Sequence, residues 1–397
     1  MKSFLVGLLL AVPGCLLAQS NEAPMHLWDA ARLANVKTSV QKPEYVKAYN
    51  ALISKAEKAL NAHYATVMDK EKIPPSGNKH DYTSLAIYYW PNPATKDGLP
   101  YVSKDGQRNP ELKKFDAEPK SAMIDGVLTL TLAGYFSGDK KYSAAAARLL
   151  DDWFLNPATR MNPNLNYAQH IPGVCDGRGI GIIDTYNFVS LTDAITLLNG
   201  SGELTPAQFQ GLKKWFSDFA AWLMESKNGR DESVTRNNHG TAYDVQLTSC
   251  LLFAGKTEEA KKIMSEFMQR RVFKQIEPDG SQPLELSRTL SFHYSWYNLT
   301  HIIDMAAIAR PYGIDVLGTV SPDGRSVDKA VKFLTAYIGR QSEWKWQQIH
   351  DYDEVEKELC QELRKMASIT GNLSYEKLRQ ELNRMAPGDL TLLLFAL

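Results

Sequence analysis

The chain has 397 residues, enough to bury a large core as one big domain or two ordinary ones. Lysine plus arginine and aspartate plus glutamate both number 45, so the formal charge is zero and the basic surplus of a dedicated nucleic-acid binder is missing. Overall neutrality leaves an acidic substrate open, because a cleft can be locally basic.

At the N-terminus, Met1-Lys2-Ser3 precedes an apolar run from Phe4 to Leu17 that ends in Leu17-Ala18-Gln19. A basic start, a short apolar stretch and a small residue at the break read as a secretory signal, residues 1–18. The run is too short to span a membrane. Export is therefore expected, to the periplasm or the medium. Val12-Pro13-Gly14-Cys15 loosely matches a bacterial lipoprotein box, which gives a second reading with a lipid anchor at Cys15 on the cell surface. Pro13 fits that box poorly. Cys175, Cys250 and Cys360 then remain, an odd number at wide spacing that makes no disulfide framework. No C-x-x-C or H-E-x-x-H occurs, so neither a metal nor a cofactor is expected.

Residues 19–397 read as a single all-α domain. Apolar residues recur at helical spacing in Tyr45–Tyr64, Ala122–Phe136, Tyr142–Phe154, Thr185–Leu198, Pro206–Glu225, Tyr243–Phe253 and Thr257–Arg270. The series continues through Ser295–Ile308, Val327–Ile338, Glu354–Thr370 and Tyr375–Met385. Gly138-Asp139, Asn199-Gly200, Gly255-Lys256 and Gly371-Asn372 supply stops, and Thr205-Pro206 supplies a start. Two long segments, 74–115 and 156–182, are not helical. Loops of this length are usually functional or disordered, and these are too aromatic for disorder.

The chemistry concentrates in Asn237-Asn238-His239, Glu285-Leu286-Ser287-Arg288 and His293-Tyr294. An amide, an imidazole, a guanidinium and a phenol come together without an obvious carboxylate pair. A sugar hydrolase works with two carboxylates. These groups suit removal of a proton beside a carboxylate whose charge is held still, the chemistry of a polyuronate lyase. Asn238 and His239 can donate to that carboxylate, and Arg288 adds charge. An arginine nearby also favours phenolate, which makes Tyr294 a base. In β-D-mannuronate and β-D-glucuronate the C5 proton and O4 lie on one side, so one tyrosine could serve both. In α-L-guluronate they lie on opposite sides, and His239 facing Tyr294 would suit.

Plainer readings exist for each piece. Asn237-Asn238-His239-Gly240 could be a helix cap before Thr241–Phe253, and Arg288 could pair with Glu285 three residues earlier. Tyr294 and His293 sit in an aromatic cluster with Phe292, Trp296 and Tyr297 that could be core. Gly177-x-Gly179-x-Gly181 lacks a preceding strand and the full spacing of a dinucleotide site. A glycoside hydrolase would draw on Asp176, Asp184 and Glu285, and a glycan-binding lipoprotein would keep only the aromatic loops.

In order along the chain, Tyr88-Tyr89-Trp90-Pro91-Asn92-Pro93, Gly98-Leu99-Pro100-Tyr101 with Asp105-Gly106, Tyr167-Ala168-Gln169 and Gly177-Arg178-Gly179-Ile180-Gly181 resemble the alginate lyase superfamily of polysaccharide lyases. So do Asn237-Asn238-His239-Gly240 and the run from Asp279 through Arg288 to His293-Tyr294. The likeness is nearest to polysaccharide lyase family 38, beside family 5. It implies an (α/α) toroid of about six to seven helical hairpins around a cleft that takes an anionic polysaccharide. The implied reaction is β-elimination on mannuronate-rich alginate, with glucuronan as the alternative. Residue by residue, Asn238 helps neutralise the carboxylate, His239 and Arg288 assist, and Tyr294 moves the proton. Tyr88, Trp90, Gln169, His170, Arg178, Asn237 and Tyr297 would bind substrate. The step from Arg288 to Tyr294 is one residue shorter than in the family 5 pattern. On a continuous helix one residue turns a side chain by ~100°, which leaves Tyr297 as the rival proton carrier.

Overall fold

The computed structural model describes residues 24–397, so the expected signal segment and Cys15 lie outside the described residues. Its helices are α1 (Ala30–Lys37), α2 (Val46–Leu60), α3 (Ala117–Ser137), α4 (Lys140–Leu150), α5 (Phe188–Gly200), α6 (Pro206–Glu225), α7 (Lys227–Ser233) and α8 (Asn238–Phe253). They continue with α9 (Thr257–Phe267), α10 (Phe273–Gln275), α11 (Pro283–Leu286), α12 (Ser291–Ala309), α13 (Val327–Thr335), α14 (Tyr352–Thr370), α15 (Leu373–Leu382) and α16 (Thr391–Leu394). Capping chemistry sets many of the ends. Thr205 and Gln208 bond each other's backbone at the start of α6, a capping box with proline at the first helical position. Gly138 and Gly371 adopt the left-handed conformation that closes α3 and α14. The stop expected at Asn199-Gly200 falls slightly later, because Gly202 takes the left-handed turn.

These helices make an all-α toroid in two layers. The inner row, α3, α5, α8, α12 and α14, packs neighbour to neighbour in that order. Inner helices need no polar face; α8 buries every residue from Gly240 to Phe253. Outer helices are one-sided. α9 buries only Ala260, Met264 and Phe267, one stripe on its inner face. Near the join of α5 and α6 the rings of Phe154, Phe188, Trp215, Phe216 and Phe219 meet mostly edge to face. Each buried ring of this kind contributes about 1.5–3 kcal/mol relative to exposure. Among the described residues no helix is long and apolar enough to cross a membrane.

Two departures from periodicity matter for chemistry. α8 starts at Asn238 rather than Tyr243, so Asn238 and His239 occupy its first turn. α12 starts at Ser291 rather than Ser295, which puts His293 and Tyr294 on the helix. Helix α7, Lys-Asn-Gly-Arg-Asp-Glu-Ser, escaped the sequence reading because it has no apolar stripe.

The two long loops are stitched to each other. β1 (Thr83–Leu85) of the first pairs in parallel with β4 (Tyr167–His170) of the second. Between them, β2 (Tyr89–Trp90) and β3 (Val102–Ser103) form a short antiparallel ribbon. This double loop lies across the N-terminal end of α12 and carries Tyr88 and Asp105 to it.

Candidate active site

Asn237 caps α8: its side-chain oxygen accepts the N–H of His239 at 3.3 Å. The carboxamide placed on substrate by the sequence is therefore engaged in folding the helix. The next residue, Asn238, is fully buried. Its backbone N–H and its side-chain Nδ2 donate to the two oxygens of Glu285 at 2.7 and 2.8 Å, and its Oδ1 has no partner. Burial pushes the Glu285 carboxyl up, against the hydrogen bonds from Asn238. Glu285 is thus the partner of Asn238 and not of Arg288. His239, partly open, bonds through Nδ1 to Glu232 Oε1 at 2.8 Å. The positive end of the α8 dipole and this first turn together favour an anion.

Facing groups come from the loop before α12 and from the double loop. Arg288 precedes the helix, and its guanidinium lies 3.8 Å from the centroid of the Tyr294 ring. It also forks onto Asp105, with Nη2 at 2.6 Å and Nε at 3.2 Å from the carboxylate oxygens. Burial alone would raise Asp105, but hydrogen bonds from Arg288 and Thr289 outweigh it and hold the carboxyl below its ordinary value. Gly106 lets the loop come this close: it sits at φ 78°, and a Cβ there would lie 2.8 Å from Thr289 Oγ1.

The hydroxyls of Tyr88 and Tyr294 are 2.8 Å apart. Burial pushes the Tyr294 phenol up, and the neighbouring Tyr88 adds to the rise while Arg288 opposes it. The expectation that arginine would win, leaving an easily ionised phenol, is overturned by desolvation. Tyr297 stands one turn along α12, stacked on His293 at 5.7 Å and edge-on to His301 at 4.3 Å. Arg288 lies before α12 and not on it, so the two residues are not related by continuous-helix spacing, and the guanidinium meets the Tyr294 ring.

A third wall is built on Asp184. It accepts from Tyr82, Ser84 and Gln169 at 3.1, 2.5 and 2.9 Å. Gln169, in a left-handed conformation at φ 47° that is uncommon outside glycine, accepts in turn from Arg178 at 3.0 Å. Arg178 also stacks over the Tyr89 ring at 5.3 Å. His170 goes elsewhere. It packs edge-on against Phe115 at 5.2 Å, beside the small apolar group of Leu85 and Leu112, and so does not join the cleft-lining set. Trp90 braces the ribbon, its Nε1–H donating to the Gln107 carbonyl at 2.9 Å under Lys104.

The structure therefore brings Arg288, Tyr294 and Tyr88 together, and the Glu285 carboxyl that holds buried Asn238 feels both His239 and Arg288. Glu232, Asp105 and His301 were not assigned roles from sequence. His301 is buried between Tyr186 and Tyr297 with both ring nitrogens unpartnered. The carboxylates a hydrolase would need do not pair: Asp176 is exposed, Asp184 is engaged with three donors, and Glu285 faces Asn238. Among the described residues no group of three or more His, Cys, Asp or Glu side chains is disposed to hold a metal ion.

A family model described as alginate lyase matches residues 66–344. No match is found among curated proteins. Among solved structures, an alginate lyase from Bacteroides ovatus is 44% identical with a TM-score of 0.92, over 94% of this chain and 100% of that one. Alginate lyase A1-III from Sphingomonas species A1 is 18% identical with a TM-score of 0.56, over 91% of this chain and 99% of that one. A variant of alginate lyase A1-III complexed with a tetrasaccharide is 16% identical with a TM-score of 0.62, over 96% and 98% of the two chains. At that identity the last two likenesses speak to the fold alone.

Proposed function

The chain belongs to the alginate lyase family and is a polysaccharide lyase, and from that premise we propose that it cleaves alginate by β-elimination, favouring β-D-mannuronate. In this reading the uronate carboxylate at the cut lies against the first turn of α8, where His239 donates to it and Arg288 adds charge across the cleft. Asn238 stands behind, its amide fixed by Glu285, and keeps that turn in place. Charge that develops on the carboxylate when C5 loses its proton is met by donors already oriented, the largest contribution such sites make. Tyr294, as phenolate, takes the C5 proton and gives it to the glycosidic oxygen as the C4–O4 bond breaks, so that this oxygen departs as the anomeric hydroxyl of the leaving sugar. The new end is a 4,5-unsaturated uronate.

What carries the reading is a single meeting of groups: a phenol under a guanidinium and against a second tyrosine hydroxyl. One phenol serving both steps fits a unit whose C5 proton and O4 share a side, as in mannuronate. Tyr88, Gln169 and Arg178 are proposed to line the flanking sugar sites, since arginine suits carboxylates and aromatic faces suit sugar rings. The apolar run from Phe4 to Leu17, read as a secretory signal, supports an activity outside the cytoplasm in the same proposal.

The experiment is a panel of polymannuronate, polyguluronate and glucuronan followed by ultraviolet absorbance of the conjugated product. Absorbance should rise fastest on polymannuronate. A faster rise on glucuronan would overturn the substrate preference, and no rise on any of the three with folded protein would overturn the lyase reading.

A further inference from the structure

Directly behind the imidazole lies a carboxylate that the reaction as usually drawn does not need. Glu232 comes from α7, is 1% exposed, and holds His239 Nδ1 at 2.8 Å through Oε1, while its Oε2 has no partner. A carboxylate at that distance accepts, so Nδ1 carries the hydrogen and Nε2 is left as the free valence of the ring. The helix is seated for this contact. Gly179 approaches α7 so closely that a Cβ would lie 2.7 Å from the Asn228 carbonyl and 3.1 Å from the Glu232 nitrogen. Gly179, in the glycine run that fits no dinucleotide site, thus has a physical reason: it lets the helix bearing Glu232 pack close.

The charge inventory around the cleft gives the pair its meaning. Arg288 is already matched by Asp105. Behind α7, Arg270 and Arg271 share the one carboxylate of Asp244 and spend their other donors on the Ser233 and Thr235 carbonyls. The remaining titratable groups turned toward His239 and Glu232 are Glu285, His301 and Tyr243. None of these three brings a positive charge to a carboxylate at His239, so on this side of the cleft the charge must come from the imidazole itself, with Arg288 acting from the other side.

We propose that Glu232 is a positioning residue that fixes His239 with its hydrogen on Nδ1, so that a substrate carboxylate arriving at Nε2 draws a proton from solvent onto that nitrogen. The imidazolium then bridges two carboxylates, Glu232 on one side and the uronate on the other. Substrate binding is coupled to uptake of a proton. The inference rests on the lyase reading, because it needs a uronate at His239, but its test does not depend on turnover.

The test uses the full-length chain carrying Tyr294→Phe, to stop cleavage, and a short mannuronate oligomer as probe. Calorimetry in buffers of different ionisation enthalpy at pH about 8, above the ordinary histidine range, counts protons taken up on binding. About one proton per bound chain is expected from linkage. Adding Glu232→Gln should cut the uptake to a small fraction and weaken binding roughly 10- to 100-fold, the loss of one charged hydrogen bond. Glu232→Asp, which keeps the charge but withdraws it by one methylene, should lie between the two and serves if the glutamine variant does not fold or bind. Binding without proton uptake, or uptake unchanged by either substitution, overturns the role of Glu232 and leaves the lyase reading standing. No binding of any uronate oligomer overturns the lyase reading itself.

Discussion

The two sides of the cleft are built in opposite ways. The imidazole side sits on the first turn of a buried inner helix, and each polar residue there is backed by a buried glutamate, Glu285 behind Asn238 and Glu232 behind His239. The phenol side is assembled across the chain: Tyr88 reaches Tyr294 and Asp105 reaches Arg288 from a loop some two hundred residues earlier. One side is fixed by what lies beneath it, the other by a loop that must dock. The first therefore suits holding a charge in place, and the second suits carrying out the proton transfer.

Substitutions can break this division in graded ways. The largest effect belongs to Tyr294→Phe, which removes the proton carrier and should lower kcat by ~10²–10⁴-fold, the usual span for a lost acid or base. Steady-state kinetics would show it, with polymer binding kept. A Tyr297→Phe variant losing as much would move the proton carrier one turn along α12. Asp105→Asn comes next. It loosens the loop from Arg288 and should cost roughly 10-fold in kcat, discounted because both partners are partly exposed. An equal loss in KM alone would mean that the loop binds substrate and does not position the phenol.

The pH dependence should report on the phenol side. Tyr294 is held above the ordinary tyrosine value, chiefly by burial, so the phenolate fraction and kcat should climb as pH rises into the alkaline range. A kcat that falls from neutrality upward contradicts the role given to the phenol.

The smallest effect concerns stability. Burial lowers His293 from 6.5 to about 4. Below its ordinary value the unfolded chain takes the proton first, so this stability is present above pH 6.5 and is lost as pH falls toward 4. The slope is at most about 1.4 kcal/mol per pH unit. Thermal melts across that window should show it, and His293→Phe should lessen the slope, to which buried His26 and His301 also contribute.

The scaffold was largely readable from sequence because its outer helices carry one apolar stripe and its caps are local. Gly138, Gly371 and Thr205-Pro206 mark ends where the backbone turns. The starts of α8 and α12 were hidden, since Asn238-His239 and His293-Tyr294 are polar and aromatic residues at a helix mouth, without helical periodicity of their own. Spacing brought out His239, Arg288 and Tyr294 together but could not give their partners. Glu232 lies on a short polar helix with no stripe to reveal it, and Asp105 sits far away in sequence. His170 and Asn237 were assigned to substrate from neighbours in sequence; β4 sends the first toward Phe115, and helix capping engages the second.

Elimination and hydrolysis differ in whether water enters the product, so the most direct test is mass spectrometry of polymannuronate digested in water labelled with heavy oxygen. Elimination predicts products with an unsaturated terminal unit and no heavy oxygen at the cut. Products that carry heavy oxygen at a saturated new end would contradict the account.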